Sequence, residues 1–309
     1  MTEELRAAMG TTAAESLTLA DGRRIGYAVF GDPAGRPCLL VHGYGSSRWV
    51  AGWALSDAVL RRHGLRVVSV DRPGYGRSTA APGAGFPGWA DDAAALAGHL
   101  RLDRVATIGV SMGAGPVLAL AAKRPDLVTS TTILGGMAPV DGVGRWAPDS
   151  RADAFYWRLA RRAPRLLRRL CSLAATTMSA GARGDADRLV GRVERSLIPA
   201  DLRVFRRLLA DGGDAAKAAF VADVKESCGQ GGAAMAGDLL DYLRPWGFDP
   251  AGVRGPVHLW HGLEDPKVPV ALARRLADRL PGGTARFVPG GHFAAFAYQD
   301  EILARIAAE

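Results

Sequence analysis

Cysteine is scarce in this chain: Cys38, Cys171 and Cys228 are the only three in 309 residues. Their number is odd and no C-x-x-C pair occurs, which excludes a disulfide framework or a thiolate zinc site and fits reduced, structural thiols. Cys38 opens an apolar run and is expected as a small core residue. Lysine is also rare. Of 39 basic residues only Lys123, Lys217, Lys225 and Lys267 are Lys, leaving 35 Arg. No stretch approaches the ~18 uninterrupted apolar residues of a membrane helix. The opening MTEELRAAMGTTAAES has no apolar signal core. These absences lead to the expectation of a cytoplasmic protein without stable membrane association.

What is present is a globular composition, 48% hydrophobic and 23% charged, which excludes disorder as the main description. The length fits one large domain, or one domain carrying an insertion. The net charge is +8. That charge is spread along the chain with no nucleic-acid motif beside it, so nucleic acid is not an expected partner.

The first half alternates short β-like runs with helical patterns. SLTLADG and RRIGYAVFGDP read as a hairpin turning at Asp21-Gly22. PCLLVHG, RVVSVDRPG, VATIGVSMG and STTILGG read as buried strands. Trp89 to Leu102 reads as an amphipathic helix with Asp91 and Asp92 in its first turn. From about Asp141 to Ala251 there is no convincing strand, only an Arg- and Ala-rich helical pattern. PVHLWHG and ARFVPGG then read as strands, and Val270–Leu280 and Phe293–Ala308 as helices. This alternation predicts a parallel α/β sheet interrupted by a helical insertion.

The strongest local signal is Gly109-Val110-Ser111-Met112-Gly113, a G-x-S-x-G pattern between an apolar run and a helix former. Taken alone, the pentapeptide also fits a glycine-rich strand–helix turn with an incidental serine. A nucleophilic serine needs a base, and of the six His the best placed is His292 in Pro289-Gly290-Gly291-His292-Phe293. His63 and His99 lie near helix ends and are expected at the surface. His258 is expected in the core, and His42 and His261 are expected to fix loops. The base needs an acid; Asp265 is preferred to its neighbour Glu264 because Pro266 fixes a turn directly after it. The oxyanion requires donors, and the Met112 and Tyr44 main-chain N–H groups are the candidates, Tyr44 lying in His42-Gly43-Tyr44-Gly45.

These segments, HGYG at 42–45, DRPGYGRS at 71–78, GVSMG at 109–113, HGLEDPKVP at 261–269 and GGHF at 290–293, resemble the α/β-hydrolase superfamily, in particular its cofactor-free serine hydrolases bearing a helical lid. The resemblance implies a mostly parallel sheet of about eight strands flanked by helices. It implies a core at 1–140 and 252–309 and a helical cap at 141–251. It implies Ser111 as nucleophile, Asp265 as acid, His292 as base, and Tyr44 and Met112 as oxyanion hole. DRPGYGRS is expected to shape a loop beside the pocket. The dehalogenase and epoxide-hydrolase branches carry Asp at the nucleophile position, so Ser111 argues against both.

No metal is expected, because the histidines show no H-E-x-x-H or paired-ligand spacing. No nucleotide cofactor is expected either, because no G-x-G-x-x-G opens a helix after the first strand. In the insertion, FYWRLARRAPRLLRRL carries Arg158, Arg161, Arg162, Arg165, Arg168 and Arg169 with no acid between Asp153 and Asp185. It reads as a solvated Arg face broken at Pro164, in preference to a basic amphipathic surface that recruits anionic lipid or an acidic substrate. Phe155, Tyr156, Trp157, Trp246 and Phe248 are candidates for core or pocket wall.

The expected partner is a small molecule, and the sequence leaves the oligomeric state open, a homodimer included. The leading functional expectation is hydrolysis of a carboxylic ester of a small to medium, largely apolar substrate through an acyl-enzyme. Lactonase, carbon–carbon bond hydrolase and natural-product tailoring chemistry use the same parts. A non-enzymatic ligand-binding protein on this fold is the competing class.

Overall fold

The computed structural model of the protein describes residues 11–140, 146–182 and 184–309. Eight strands form one sheet: β1 (Thr11–Thr18), β2 (Arg24–Gly31), β3 (Arg36–Val41), β4 (Leu65–Val70), β5 (Val105–Val110), β6 (Val128–Leu134), β7 (Val257–Gly262) and β8 (Gly283–Val288). Their order is β1-β2-β4-β3-β5-β6-β7-β8. β1 pairs antiparallel with β2, and β2 antiparallel with β4. Every pairing from β4 and β3 through to β8 is parallel. The β1–β2 turn falls at Asp21-Gly22, where Gly22 has φ +84°. All six residues of β5 and of β7 are buried, as expected of central parallel strands covered on both faces. The hydrophobic core accordingly lies in two layers, one on each face of the sheet.

The helices are α1 (Val50–Ala54), α2 (Asp57–Arg62), α3 (Gly85–His99), α4 (Ala114–Lys123), α5 (Arg151–Arg162), α6 (Pro164–Ala182), α7 (Ala186–Glu194), α8 (Pro199–Ser227), α9 (Ala233–Tyr242), α10 (Val270–Asp278) and α11 (Gln299–Ala308). α3 begins four residues earlier than its sequence pattern suggests, because Pro87 sits in its first turn, where no N–H is needed. Asp91 and Asp92 therefore lie mid-helix and bind cations instead of the helix dipole. Asp92 takes a two-pronged bond from Arg23 and Asp91 pairs with Lys123. The last helical pattern also divides, into a 3₁₀ turn at Ala294–Tyr298 followed by α11. α1 and α2 are too short to show a helical period and were not anticipated.

Between β6 and β7 the described residues form only helices and one 3₁₀ turn, Pro250–Gly252. The sequence boundary at Asp141 lies outside the described residues. α5 stops before Pro164, and α6 begins at it. Arg158, Arg162, Arg165, Arg168 and Arg169 are exposed. The guanidinium of Arg158 lies over the Phe155 ring and that of Arg161 over Trp146. Trp157 and Trp246 are core residues, Tyr156 and Phe248 are half-buried, and Phe155 is exposed. α8 is kinked at Gly213, whose φ of +57° and ψ of −145° leave the helical region. No helix among the described residues is long and apolar enough to cross a membrane.

Candidate active site

Ser111 stands directly after β5, on the turn into α4, with a left-handed φ of +52°. For a non-glycine residue that conformation costs about 1–3 kcal/mol, and the surrounding packing holds it. A Cβ on Gly109 would lie 2.6 Å from Val117 Cγ2 and 2.8 Å from the Gly113 carbonyl oxygen. A Cβ on Gly113 would lie 2.2 Å from the Val41 carbonyl oxygen. Both glycines of the pentapeptide are thus required by close backbone approach, the second because the turn presses against the end of β3. Gly113→Ala is expected to cost about 1–3 kcal/mol of stability. By displacing the neighbouring loop it should also lower the reactivity of Ser111 at least about tenfold. Labelling kinetics and a thermal melt at wild-type values would refute this steric account.

The loop after β3 meets the serine. A Cβ on Gly43 would be 2.9 Å from Ser111 Cβ and 3.6 Å from its Oγ. The Gly43 carbonyl faces away, accepting from His42 Nδ1 at 2.8 Å and Arg72 Nη2 at 2.8 Å. The peptide is planar and trans, so the Tyr44 N–H points opposite to that carbonyl. The same reasoning orients the Met112 N–H, because the Ser111 carbonyl accepts from Met137 N–H at 3.0 Å. His42 is buried, with Nε2 accepting the Arg72 N–H at 3.0 Å, so its proton is on Nδ1. Burial and the nearby Arg72 charge hold it neutral, well below the usual histidine range. It fixes a loop, as its sequence position implies.

The loops after β7 and β8 bring Asp265 and His292 together. His292 Nδ1 donates to Asp265 Oδ2 at 2.7 Å, which leaves Nε2 as the basic nitrogen of the ring. The other oxygen of Asp265 accepts the Lys267 N–H at 2.8 Å and the Val268 N–H at 3.0 Å. Burial pushes the Asp265 carboxyl up, but the His292 charge and hydrogen bond, His261 and the Val268 N–H outweigh it. The net effect holds Asp265 below the usual aspartate range. Glu264, the competing acid, is exposed. His261 donates through Nε2 to the Val268 carbonyl at 2.9 Å and so secures the acid loop. The His292 ring packs over Gly135 at the end of β6, where an added Cβ would lie 3.5 Å from Nδ1. His258 is buried and bonded to Thr284 and Glu309, and His99 is exposed. His63 caps the C-terminus of α2, is partly exposed and bonds to the exposed Asp300.

Several residues around these loops were not foreseen, and most come from the helical insertion. Asp201 accepts the His292 and Phe293 N–H groups. Asp223 accepts from Ser46 Oγ, Ser47 N–H, Ser47 Oγ and Trp53 Nε1. Burial, opposed by those donors, pushes its carboxyl up to about 6. Asp238 takes two bonds from Arg72, at 2.6 and 2.8 Å, and one from the Tyr75 hydroxyl. Tyr242 donates its hydroxyl proton to the Met112 carbonyl and accepts the Gly115 N–H. The insertion is therefore bonded to four core loops: those of the serine, the histidine, the oxyanion candidate and DRPGYGRS. The signal available in the sequence was weak, consisting of isolated acids in an otherwise basic helical segment.

A serine on the turn after β5, an aspartate in the loop after β7 and a histidine in the loop after β8 follow the order of the α/β-hydrolase arrangement. A family model for the alpha/beta hydrolase fold matches residues 36–297, and the chain belongs to that family. Among curated proteins it is similar to a non-heme haloperoxidase of Rhodococcus erythropolis, 33% identical over 126 residues, covering 40% of this chain and 44% of that one. It is also similar to an (E)-2-((N-methylformamido)methylene)succinate hydrolase of Acinetobacter baylyi, 32% identical over 142 residues, covering 46% and 52%. The chain thus spans about half the length of the curated relatives it matches. Among solved structures, an alpha/beta hydrolase fold protein of Nakamurella multipartita superposes with a TM-score of 0.64 at 22% identity, covering 96% of this chain and 98% of that one. At that identity the likeness shows the fold alone.

Proposed function

We propose that the protein is a serine hydrolase that cleaves a carboxylic ester of a small to medium, largely apolar molecule. In this reading residues 1–140 and 252–309 are the hydrolase core and 141–251 the cap. Ser111 Oγ attacks the acyl carbonyl and His292 Nε2 takes its proton. The Tyr44 and Met112 N–H groups hold the oxyanion, and the imidazolium protonates the leaving alcohol. Water, activated by the same imidazole, then releases the acyl group. Asp265 keeps the tautomer that makes Nε2 basic and stabilises the imidazolium.

The observation that carries this reading is the 2.7 Å bond from His292 Nδ1 to a buried Asp265 whose carboxyl stays ionised. It is supported by the left-handed turn that holds Ser111 between β5 and α4. A fluorophosphonate probe, located by peptide mass spectrometry, tests it. Covalent modification is expected at Ser111 and should vanish in Ser111→Ala. A folded wild-type chain that resists the probe, yet binds esters tightly, would favour the ligand-binding alternative. An acyl chain-length series run beside lactones then sets the substrate class.

A further inference from the structure

The carboxylate of Asp201 lies in the first turn of α8, in the helical insertion, and only 2% of the residue is exposed. It accepts the His292 N–H at 3.0 Å through Oδ2 and the Phe293 N–H at 2.8 Å through Oδ1. The fit is close. A Cβ on Gly291 would lie 2.5 and 2.6 Å from the two carboxylate oxygens, so the glycine before His292 makes room for this acid. Among the described residues Asp201 forms no ion pair with Lys or Arg. Burial raises its carboxyl, against the two N–H bonds and the His292 charge, which oppose the rise.

A carboxylate buried without a cation partner is expensive unless its charge is used. We propose that Asp201 is a positioning residue for His292: it fixes the peptide that carries the imidazole and sets a second negative charge beside the imidazolium formed in catalysis. The inference rests on the serine-hydrolase reading above. Among the described residues, the titratable groups that interact with His292 are Asp265 on its Nδ1, Asp201 beneath its backbone and His261 beside the acid loop. Removing Asp201 leaves the first bond intact, so the imidazole keeps its tautomer but loses its anchor and one of two favourable charges. It also makes the insertion part of the catalytic apparatus.

Asp201→Asn tests this in the full chain. One oxygen becomes an NH₂ group that cannot accept, and the charge is lost. The rate of fluorophosphonate inactivation is expected to fall about 10- to 100-fold. The acid limb of its pH profile should move to lower pH, because the site loses an anion that favours the protonated ring. A structural role alone lowers the plateau without moving that limb, and a wild-type plateau or an unmoved limb overturns the inference. If the Asn variant does not fold, Gly291→Ala carries the test, since its Cβ displaces the carboxylate while keeping the charge. It should lower the rate at least about tenfold, and a wild-type rate overturns the inference. Failure of the wild-type chain itself to label would overturn the hydrolase reading and this inference with it. Wild-type labelling with an unaffected Asp201→Asn overturns the inference alone.

Discussion

On any ester that the wild-type chain turns over, His292→Ala is expected to lower kcat by about six orders of magnitude. The serine hydroxyl is a poor nucleophile until its proton has somewhere to go, and the ring whose Nδ1 is committed to Asp265 has only Nε2 to offer. Ser111→Ala should lose about as much, and the double variant little more, because groups acting as one unit fail together. Asp265→Asn should lose about four orders of magnitude. It leaves the imidazole in place but lets its Nδ1 accept a hydrogen bond from the amide in place of donating one, which puts the ring proton on Nε2. The Asp265 carboxyl is held below its ordinary range, so it is ionised at neutral pH and available to the imidazolium. Steady-state kinetics on the purified variants check the ordering. A His292→Ala enzyme retaining more than about a hundredth of wild-type kcat would remove this histidine from the role of base.

The residues of this site differ in how far the sequence exposed them, and the reason is local geometry. Ser111, His292 and Asp265 each stand where a strand gives way to a turn, and such turns are written in glycine and proline. Gly109 and Gly113 are forced by contacts of 2.6 and 2.2 Å that any side chain would violate. A pattern with that steric origin survives in one sequence read alone. Tyr44 and Met112 were accessible for the same reason, since each donor belongs to a peptide next to a glycine or to the strained serine. Asp201 carries no such mark. Its partners are backbone N–H groups 91 and 92 positions away. Nothing in PADLRVF distinguishes its aspartate from one that starts a helix. Asp223 and Asp238 are hidden likewise, because their partners depend on where the insertion lands on the core. Sequence periodicity gives helices in that segment but not the loop each one faces.

Arg48→Met is expected to destabilise the fold by about 3–5 kcal/mol. The side chains of Arg48 and Asp71 are both fully buried, with Nη1 and Oδ2 2.6 Å apart. The Arg48 N–H adds a bond to Oδ1 at 2.7 Å, and the Arg77 N–H donates to Oδ2 at 2.9 Å. Gly26 and Gly76 crowd this carboxylate so closely that a Cβ on either would fall within 2.5 Å of an oxygen. Methionine fills a similar volume, so the loss falls mainly on the stranded charge of Asp71 and little on packing. The same guanidinium reaches Glu226 at the end of α8, 3.1 Å away, and so joins the insertion to the loop after β3. Glu226 is partly exposed, and Glu226→Gln should cost no more than about 1 kcal/mol. Pairing Arg48→Met with Asp71→Asn should recover part of the loss, because the uncompensated charge is removed with the cation. Chemical denaturation of the three variants beside the wild-type chain measures these differences. An Arg48→Met chain within about 1 kcal/mol of wild type would mean that Asp71 takes up a proton and stays neutral when its partner is lost.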